Sequence, residues 1–200
     1  MVADAVRAGA EAGSSPPLLG FAAEDRETFL GLPVRPVAGW LGEKGTRAEF
    51  VVAIGENRVR LDIARVMDGP FATVIHPAAA VAATARIGAG SVVLAGAVVG
   101  PDARIGAHAI VNTRAVVEHD CTLADGVTVA PGAVLCGAVR LDEGAFVGAG
   151  ATVRQGLHLG AWSVAALGSA VVTDVAGATL VTGVPARPKG IRRADEPVYR

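Results

Sequence analysis

The sequence predicts a mainly β protein: a parallel β-helix preceded by a small α/β unit. Three observations carry this. An aliphatic residue returns every six positions from Ile75 to Val171 without a slip, and only Ala165 in that series is not Ile, Val or Leu. Four residues after most of these stands a small residue, among them Ala97, Ala103, Ala115, Cys121, Ala133 and Ala151. The pattern also changes near residue 70, before which strand-like and helix-like segments alternate. A six-residue period of this length marks a coil of hexapeptide repeats, three hexads to a triangular turn, so that residues eighteen apart stack.

Before residue 70, Val2 to Ala12 reads as a helix stopped by Gly13 and the Ser-Ser-Pro-Pro turn, and Leu18 to Ala22 as a short strand. Glu49 to Ile54 is a nearly continuous apolar run, expected to be a buried parallel strand. Asn57 to Met67 reads as an amphipathic helix with Val59, Ile63 and Val66 on its buried face. Alternating strand and helix implies a parallel sheet. The expected division is an α/β unit over 1–70, the coil over 71–190, with one irregular turn from Val172 to Leu180, and a loosely held tail over 191–200.

Composition bounds the function. Lys and Arg total 18 against 19 Asp and Glu, a neutral balance that argues against a nucleic-acid partner. Cys121 and Cys136 are too few for a disulfide framework and fit a reducing cytoplasm. No uninterrupted apolar run reaches eighteen residues, so no membrane insertion is expected, and the first thirteen residues lack the apolar centre of a signal peptide.

The chemistry concentrates in Asn112 to Cys121 (NTRAVVEHDC). His119 is the only histidine flanked on both sides by carboxylates, Glu118 and Asp120, and it occupies an outward or corner position of its hexad. Such a histidine suits a general base whose imidazole a carboxylate orients; the same spacing also describes a surface histidine between two solvated acids. Gly137 lies eighteen residues on, one coil away, where a glycine lets a ligand approach the backbone and offers an N–H to a developing oxyanion. His108 and His158 read as solvated surface groups. No close histidine pair exists, so no metal site is expected. Pro131, Ala149 and Leu167 fall in one column of small or neutral side chains, with room beside it for an extended ligand.

The hexads, the NTRAVVEHDC segment, Ile75-His76-Pro77, Ala53-Ile54-Gly55-Glu56-Asn57 and Gly183-Val184-Pro185-Ala186 together resemble the NeuD/PglD-type sugar O- and N-acetyltransferases. The resemblance covers nearly the whole chain. It implies a left-handed coil, a Rossmann-like N-terminal domain, a homotrimer and acetyl-CoA as co-substrate. It makes His119 the catalytic base, Asp120 its orienting partner, and Asn112 and Glu118 supporting residues. It places Thr128, Ala149 and Leu167 at the coenzyme; Gly137 joins them by its place one coil from His119, and Arg187 and Lys189 near the chain end are candidates for the phosphates or simply a solvated basic tail. It sets Gly55 and His76 on the acceptor side, His76 having a structural role at the domain joint as its other reading. Two departures stand out. The chain begins inside the helix that in the family follows a glycine-rich loop, as a start codon assigned too late would produce. Ala23 also stands where the family often has an aspartate. The function implied is acetylation of a bacterial surface-sugar precursor, with N-acetylation of a nucleotide-linked amino sugar ahead of O-acetylation of a sugar acid. A catalytically idle trimeric scaffold is the reading from another class.

Overall fold

The computed structural model describes residues 1–13, 21–22, 28–29, 32–35, 48–67, 69–191 and 196. From residue 74 the chain winds as a parallel β-helix of about six turns, each turn laying down three two-residue strands joined by four-residue corners. Strands eighteen residues apart pair in parallel, as in Val92↔Ile110↔Thr128, Val98↔Val116↔Val134 and Arg104↔Thr122↔Arg140. These ladders form three faces. The first runs from Val74–Ile75 to Val164–Ala165, the second from Ala80–Val81 to Ala170–Val171, and the third from Arg86–Ile87 to His158–Leu159.

In each short strand the first side chain points out and the second points in, because successive Cβ atoms alternate across the pleat. Fourteen of the seventeen hexad residues, Val93 through Val171, are buried and form one core with the small residues between them. Ile75, Val81 and Ile87 are partly exposed: they belong to the first coil, which has no coil beneath it. At the other end the step shortens. Leu159 bridges Val175 and Ala165 pairs with Val181, sixteen residues on instead of eighteen, before a hairpin of Thr179–Thr182 and Arg187–Ile191 closes the coil. That shortened turn is the irregular coil expected from Val172 to Leu180. Most of the proposed tail lies outside the described residues.

Two helices lean on the first face and its edge. Helix α1 (Val2–Glu11) buries Ala5 against Val74, Val92 and Leu94, and ends at Ala12 with Gly13 in the left-handed region. Helix α2 (Asn57–Met67) lies on the corner between the third and first faces. Its buried side is Asn57, Arg60, Leu61 and Ala64, whereas Val59 and Val66 are exposed, so the apolar face read from the sequence is not the one that packs. The reason is what the helix meets: a coil corner presents backbone carbonyls, which a polar face can satisfy and an apolar one cannot.

Arg60 is 1% exposed and uses its whole donor fork. Nε donates to the His108 carbonyl at 2.7 Å, Nη1 to the Ile54 and Gly55 carbonyls at 2.8 and 3.0 Å, and Nη2 to Asn57 Oδ1, the Gly126 carbonyl and Thr128 Oγ1. Asn57 Nδ2 donates to the Gly144 and Ala145 carbonyls at 3.1 and 3.3 Å, one coil further on. A Cβ on Gly126 would lie 2.4 Å from Leu61, so the close approach of α2 requires glycine there.

The run Glu49–Ile54 does not form the expected strand. Phe50 makes a single parallel bridge to Phe71, and only Val52 of the run is buried. A buried parallel strand needs a ladder on both edges, and among the described residues Phe71 is its sole partner. Phe21–Ala22, Thr28–Phe29 and Leu32–Arg35 form a small mixed sheet, one pairing parallel and one antiparallel. Residues 18–20 of the expected first strand lie outside the described residues. Among the described residues no helix is long and apolar enough to cross a membrane.

Arg60→Met keeps the volume and removes every donor, stranding several buried acceptors. It should destabilise the protein by about 3 kcal/mol or more, read in thermal unfolding as a Tm lower by roughly 6–12 °C. A change under about 1 kcal/mol would show that the network carries no weight.

Candidate active site

His119 and Asp120 form the corner between the second and third faces, after Val116–Val117 and before Thr122–Leu123. Their backbone is held from both sides: the Asp120 N–H donates to the Pro101 carbonyl at 3.0 Å, and the Ala138 N–H donates to the His119 carbonyl at 2.9 Å. Asp120 has φ 60°, a left-handed conformation that aspartate tolerates better than most residues. His119 Nδ1 and Asp120 Oδ2 are 2.8 Å apart, which fixes the imidazole plane, while Nε2 makes no bond to another described residue. The ring is exposed. Its pKa lies above the ordinary imidazole value because of the hydrogen bond to Asp120 first; desolvation opposes the rise, and the charges of Asp120 and Glu118 add to it.

The imidazole lies over Gly137. A Cβ there would come within 2.6 Å of both Cε1 and Nε2, so glycine is what gives the ring its place. The Gly137 carbonyl accepts from the Gly156 N–H at 3.0 Å, while its own N–H makes no bond to another described residue. One coil below, Gly100 plays a part the sequence reading missed. A Cβ on it would lie 2.7 Å from the His119 nitrogen and 2.8 Å from the Glu118 carbonyl carbon. The signal was available, since Gly100 stands eighteen residues before Glu118. Without a structure, however, it looked like any other hexad glycine.

The other site residues fall in several places. Asn112 sits at the start of the corner between the first and second faces, its side-chain oxygen accepting from the Thr113 N–H at 2.8 Å. One face therefore separates it from His119 within a chain. Ala149 and Leu167 do stack with Pro131 on that same corner, through Gly150 N–H to Pro131 O at 3.0 Å and Gly168 N–H to Ala149 O at 2.8 Å, and Leu167 is 80% exposed. Thr128 turns its side chain to helix α2. It is 1% exposed on the first face, and its hydroxyl is taken by Asn57 Oδ1 at 2.6 Å and by Arg60. Arg187 and Lys189 lie on the exposed strand of the terminal hairpin, Arg187 donating to the Ala186 carbonyl at 2.9 Å. Gly55 is exposed and lends its carbonyl to Arg60. His76 heads the column that contains Leu94 and Asn112, its Nδ1 accepting from the Ala78 N–H at 3.0 Å.

Two histidines are not the solvated groups expected. His108 packs edge-on against Phe71, ring centroids 4.6 Å apart, and over Gly90; burial pushes its pKa down. His158 Nε2 pairs with Asp142 Oδ2 at 2.8 Å. Among the described residues no group of three His, Cys, Asp or Glu is placed to hold a metal.

Comparison with known proteins assigns this corner to a family. The bacterial transferase hexapeptide (six repeats) pattern matches residues 102–137, the stretch that holds His119, Asp120 and Gly137. The acetyltransferase domain of PglB from Neisseria gonorrhoeae, solved with acetyl coenzyme A, is 32% identical with a TM-score of 0.83, over 92% of each chain. The chain belongs to the hexapeptide-repeat sugar acetyltransferases. A histidine-to-alanine mutant of GDP-perosamine N-acetyltransferase from Caulobacter crescentus, solved with CoA and GDP-perosamine, is 34% identical at TM-score 0.83, over 93% of this chain and 90% of that one. WeeI from Acinetobacter baumannii, 24% identical at TM-score 0.78 over 84% of each chain, shares the fold. No curated protein sequence matches. Superposition at this level requires a coil wound with the same hand, since mirror-wound coils do not superpose. As an acetyltransferase of this family the chain uses acetyl-CoA as its acyl donor.

Two variants test the geometry. Gly137→Ala is compatible with the backbone, since Gly137 has no positive φ. It should leave stability within about 1 kcal/mol and lower kcat by roughly tenfold to a hundredfold by pushing the ring aside. Asp120→Asn should lower the His119 pKa, because the largest cause of its rise is that carboxylate. With His119 as the base, the rate would rise as it loses its proton, so the limb of the pH–rate profile should move to lower pH in the variant while its plateau falls. An unmoved limb would detach the titration from His119.

Proposed function

We propose that this enzyme transfers the acetyl group of acetyl-CoA to the amine of a nucleotide-linked amino sugar, with His119 as general base. The observation that carries the mechanism is the dyad: Nδ1 held at 2.8 Å by Asp120, with Nε2 beside the Gly137 backbone. With its proton on Nδ1, the neutral imidazole presents a lone pair at Nε2 to the acceptor amine. As the amine attacks the thioester carbonyl, Nε2 takes the amine proton and Asp120 stabilises the imidazolium. The Gly137 N–H, which makes no bond to another described residue, is available to the oxygen that gains charge. The imidazolium then returns the proton to the departing thiolate, releasing CoA. The choice of an amine on a nucleotide-linked sugar is supported by the GDP-perosamine N-acetyltransferase, 34% identical over nine-tenths of both chains.

Assembly, compartment and domain division belong to the same proposal. The second face presents Ala80, Val98, Val116, Val134, Thr152 and Ala170 outward, apolar but for Thr152, with Val98 40% exposed. A homotrimer would cover this apolar stripe and bring the Ala149–Leu167 corner of one subunit towards the His119 corner of the next, so that the coenzyme lies between them. Asn112 would then act from that neighbouring corner, Glu118 through its charge, and Arg187 and Lys189 at the coenzyme phosphates, while Gly55 and His76 border the acceptor side. Cys121 and Cys136 are free thiols, in keeping with a reducing cytoplasm. The α/β unit ends near residue 70, the coil spans 71–190, and a tail follows.

A panel of nucleotide-linked amino sugars, assayed with acetyl-CoA by release of free thiol, tests the reading. On the accepted sugar, His119→Ala should lose about 10²–10⁴-fold in kcat with acetyl-CoA affinity nearly unchanged. Full turnover by that variant would exclude His119 as the base.

A further inference from the structure

The second face is bounded by two corners of unlike charge. The corner between the first and second faces runs from residues 76–79 up to 166–169, and Arg114 is its one arginine, lysine or carboxylate. The other levels of the Arg114 slot hold Gly96, Gly132, Gly150 and Gly168, with φ between 64° and 69°. Arg114 takes φ 55° there, a region unfavourable to a residue with a Cβ. It is exposed and makes no ion pair with another described residue.

The corner between the second and third faces carries Asp102, Glu118 and Asp120 around His119, with Arg154 two coils above Glu118. Asp102 and Asp120 hold the matching left-handed slot, φ 59° and 60°, one stacked on the other at about the 4.8 Å spacing of adjacent strands. Like charges this close repel, and Glu118 adds a third carboxylate. His119 engages Asp120. Among the described residues Asp102 and Glu118 have no ion-pair partner, Arg104 and Arg154 included.

Height along the coil relates the two corners. Covering the second face along its length, from Ala80 to Ala170, requires three coils side by side about an axis parallel to their own. In such a ring each corner meets the next subunit at its own height. The Arg114 side chain runs towards the coil below: its Cγ lies across Gly96, 3.2 Å from where a Cβ there would sit. The opposite corner of that lower turn is 100–103, which contains Asp102.

We propose that Arg114 of each subunit pairs with Asp102 of the next, an ionic lock that sets the coenzyme corner of one subunit against the His119 corner of its neighbour. This rests on the reading that the enzyme is a homotrimer with the coenzyme between subunits. The contact is heterologous, so three copies close a ring with three equal locks. Within one chain the second face lies between the two residues, and no ion pair joins them. The guanidinium also sets a cation beside three carboxylates that would otherwise oppose an anionic coenzyme.

The test uses the full-length enzyme with Arg114→Asp, Asp102→Arg and the two changes combined. Both slots are left-handed and already hold these residue types, so the exchange asks nothing new of the backbone. Each single change sets like charges against each other at all three interfaces. The trimer should then dissociate at a protein concentration about tenfold higher or more in sedimentation velocity. The difference should shrink in about 0.5 M salt, and activity per subunit should fall on dilution. The combined variant should recover both. Mixing the two single variants should also recover assembly and activity, because a mixed ring again opposes Arg to Asp at two of its three interfaces. A contact within one chain predicts recovery in the combined variant and none on mixing. Single variants that assemble like the wild type would overturn the proposal, as would a mixture no better than its parts, or an effect confined to the acceptor KM. A monomeric wild type would sink the trimer reading and the lock with it. A trimeric wild type indifferent to the exchange would sink the lock alone.

Discussion

Everything in this molecule depends on the eighteen-residue register of the coil. Each two-residue strand is too short to hold itself, and it persists because it is hydrogen-bonded to the strands eighteen residues before and after it. That ladder fixes which side chains face the core, because a slip of one residue would turn every aliphatic hexad residue outward. It also decides which distant residues meet. Pro101, His119 and Gly137 come together because they are spaced by one coil, as are Arg86 and Arg104. The His119 corner is thus built on the repeat: glycine recurs in the Gly100 slot at 88, 106, 148 and 160, the left-handed turn at Asp120 recurs through the hexads, and His119 and Gly137 are what set this corner apart. Glycine at 100 admits the His119 backbone, glycine at 137 admits its ring, and aspartate at 120 adopts a left-handed turn while orienting the imidazole.

A regular coil by itself has no means of attaching a second unit at one height. Here the attachment is the buried fork of Arg60 with Asn57 and Thr128, which reads carbonyls at residues 108, 126, 144 and 145 across neighbouring coils. A buried cation is costly to desolvate, and it is tolerated only when its donors are met. Arg58 over the Trp162 ring at 3.9 Å and Arg65 beside Glu143 extend the contact along the same edge. The N-terminal segment is thereby registered to the coil at the height of the His119 corner, on a different edge from it.

The coil was legible in the sequence because burial there is periodic and the period maps directly onto geometry. His119, Asp120 and Gly137 were legible for the same reason, their relation being a spacing of one or eighteen residues. What could not be read was any contact between segments of different periodicity. The helix at Asn57–Met67 has apolar residues at Val59, Ile63 and Val66, and the hydrophobic pattern favoured that face. The coil corner instead selected Asn57 and Arg60, whose value lies in satisfying carbonyls that the sequence does not display. The burial of Thr128 was hidden on the same account, since its hydroxyl serves that network. His108 looked solvated because it occupies an outward position. Phe71, thirty-seven residues earlier, covers it. Glu49–Ile54 has strand composition but lacks a ladder partner among the described residues.

The central claim is that the corner at His119 joins acyl donor and acceptor amine over a backbone fixed by the coil register. A crystal structure of the enzyme with CoA and the accepted nucleotide-linked amino sugar would test it most directly. The account predicts the acceptor nitrogen within hydrogen-bond distance of His119 Nε2, Nδ1 still on Asp120, and the coenzyme sulfur beside Gly137. An acceptor amine bound out of reach of Nε2, with the sulfur at another corner of the coil, would contradict it.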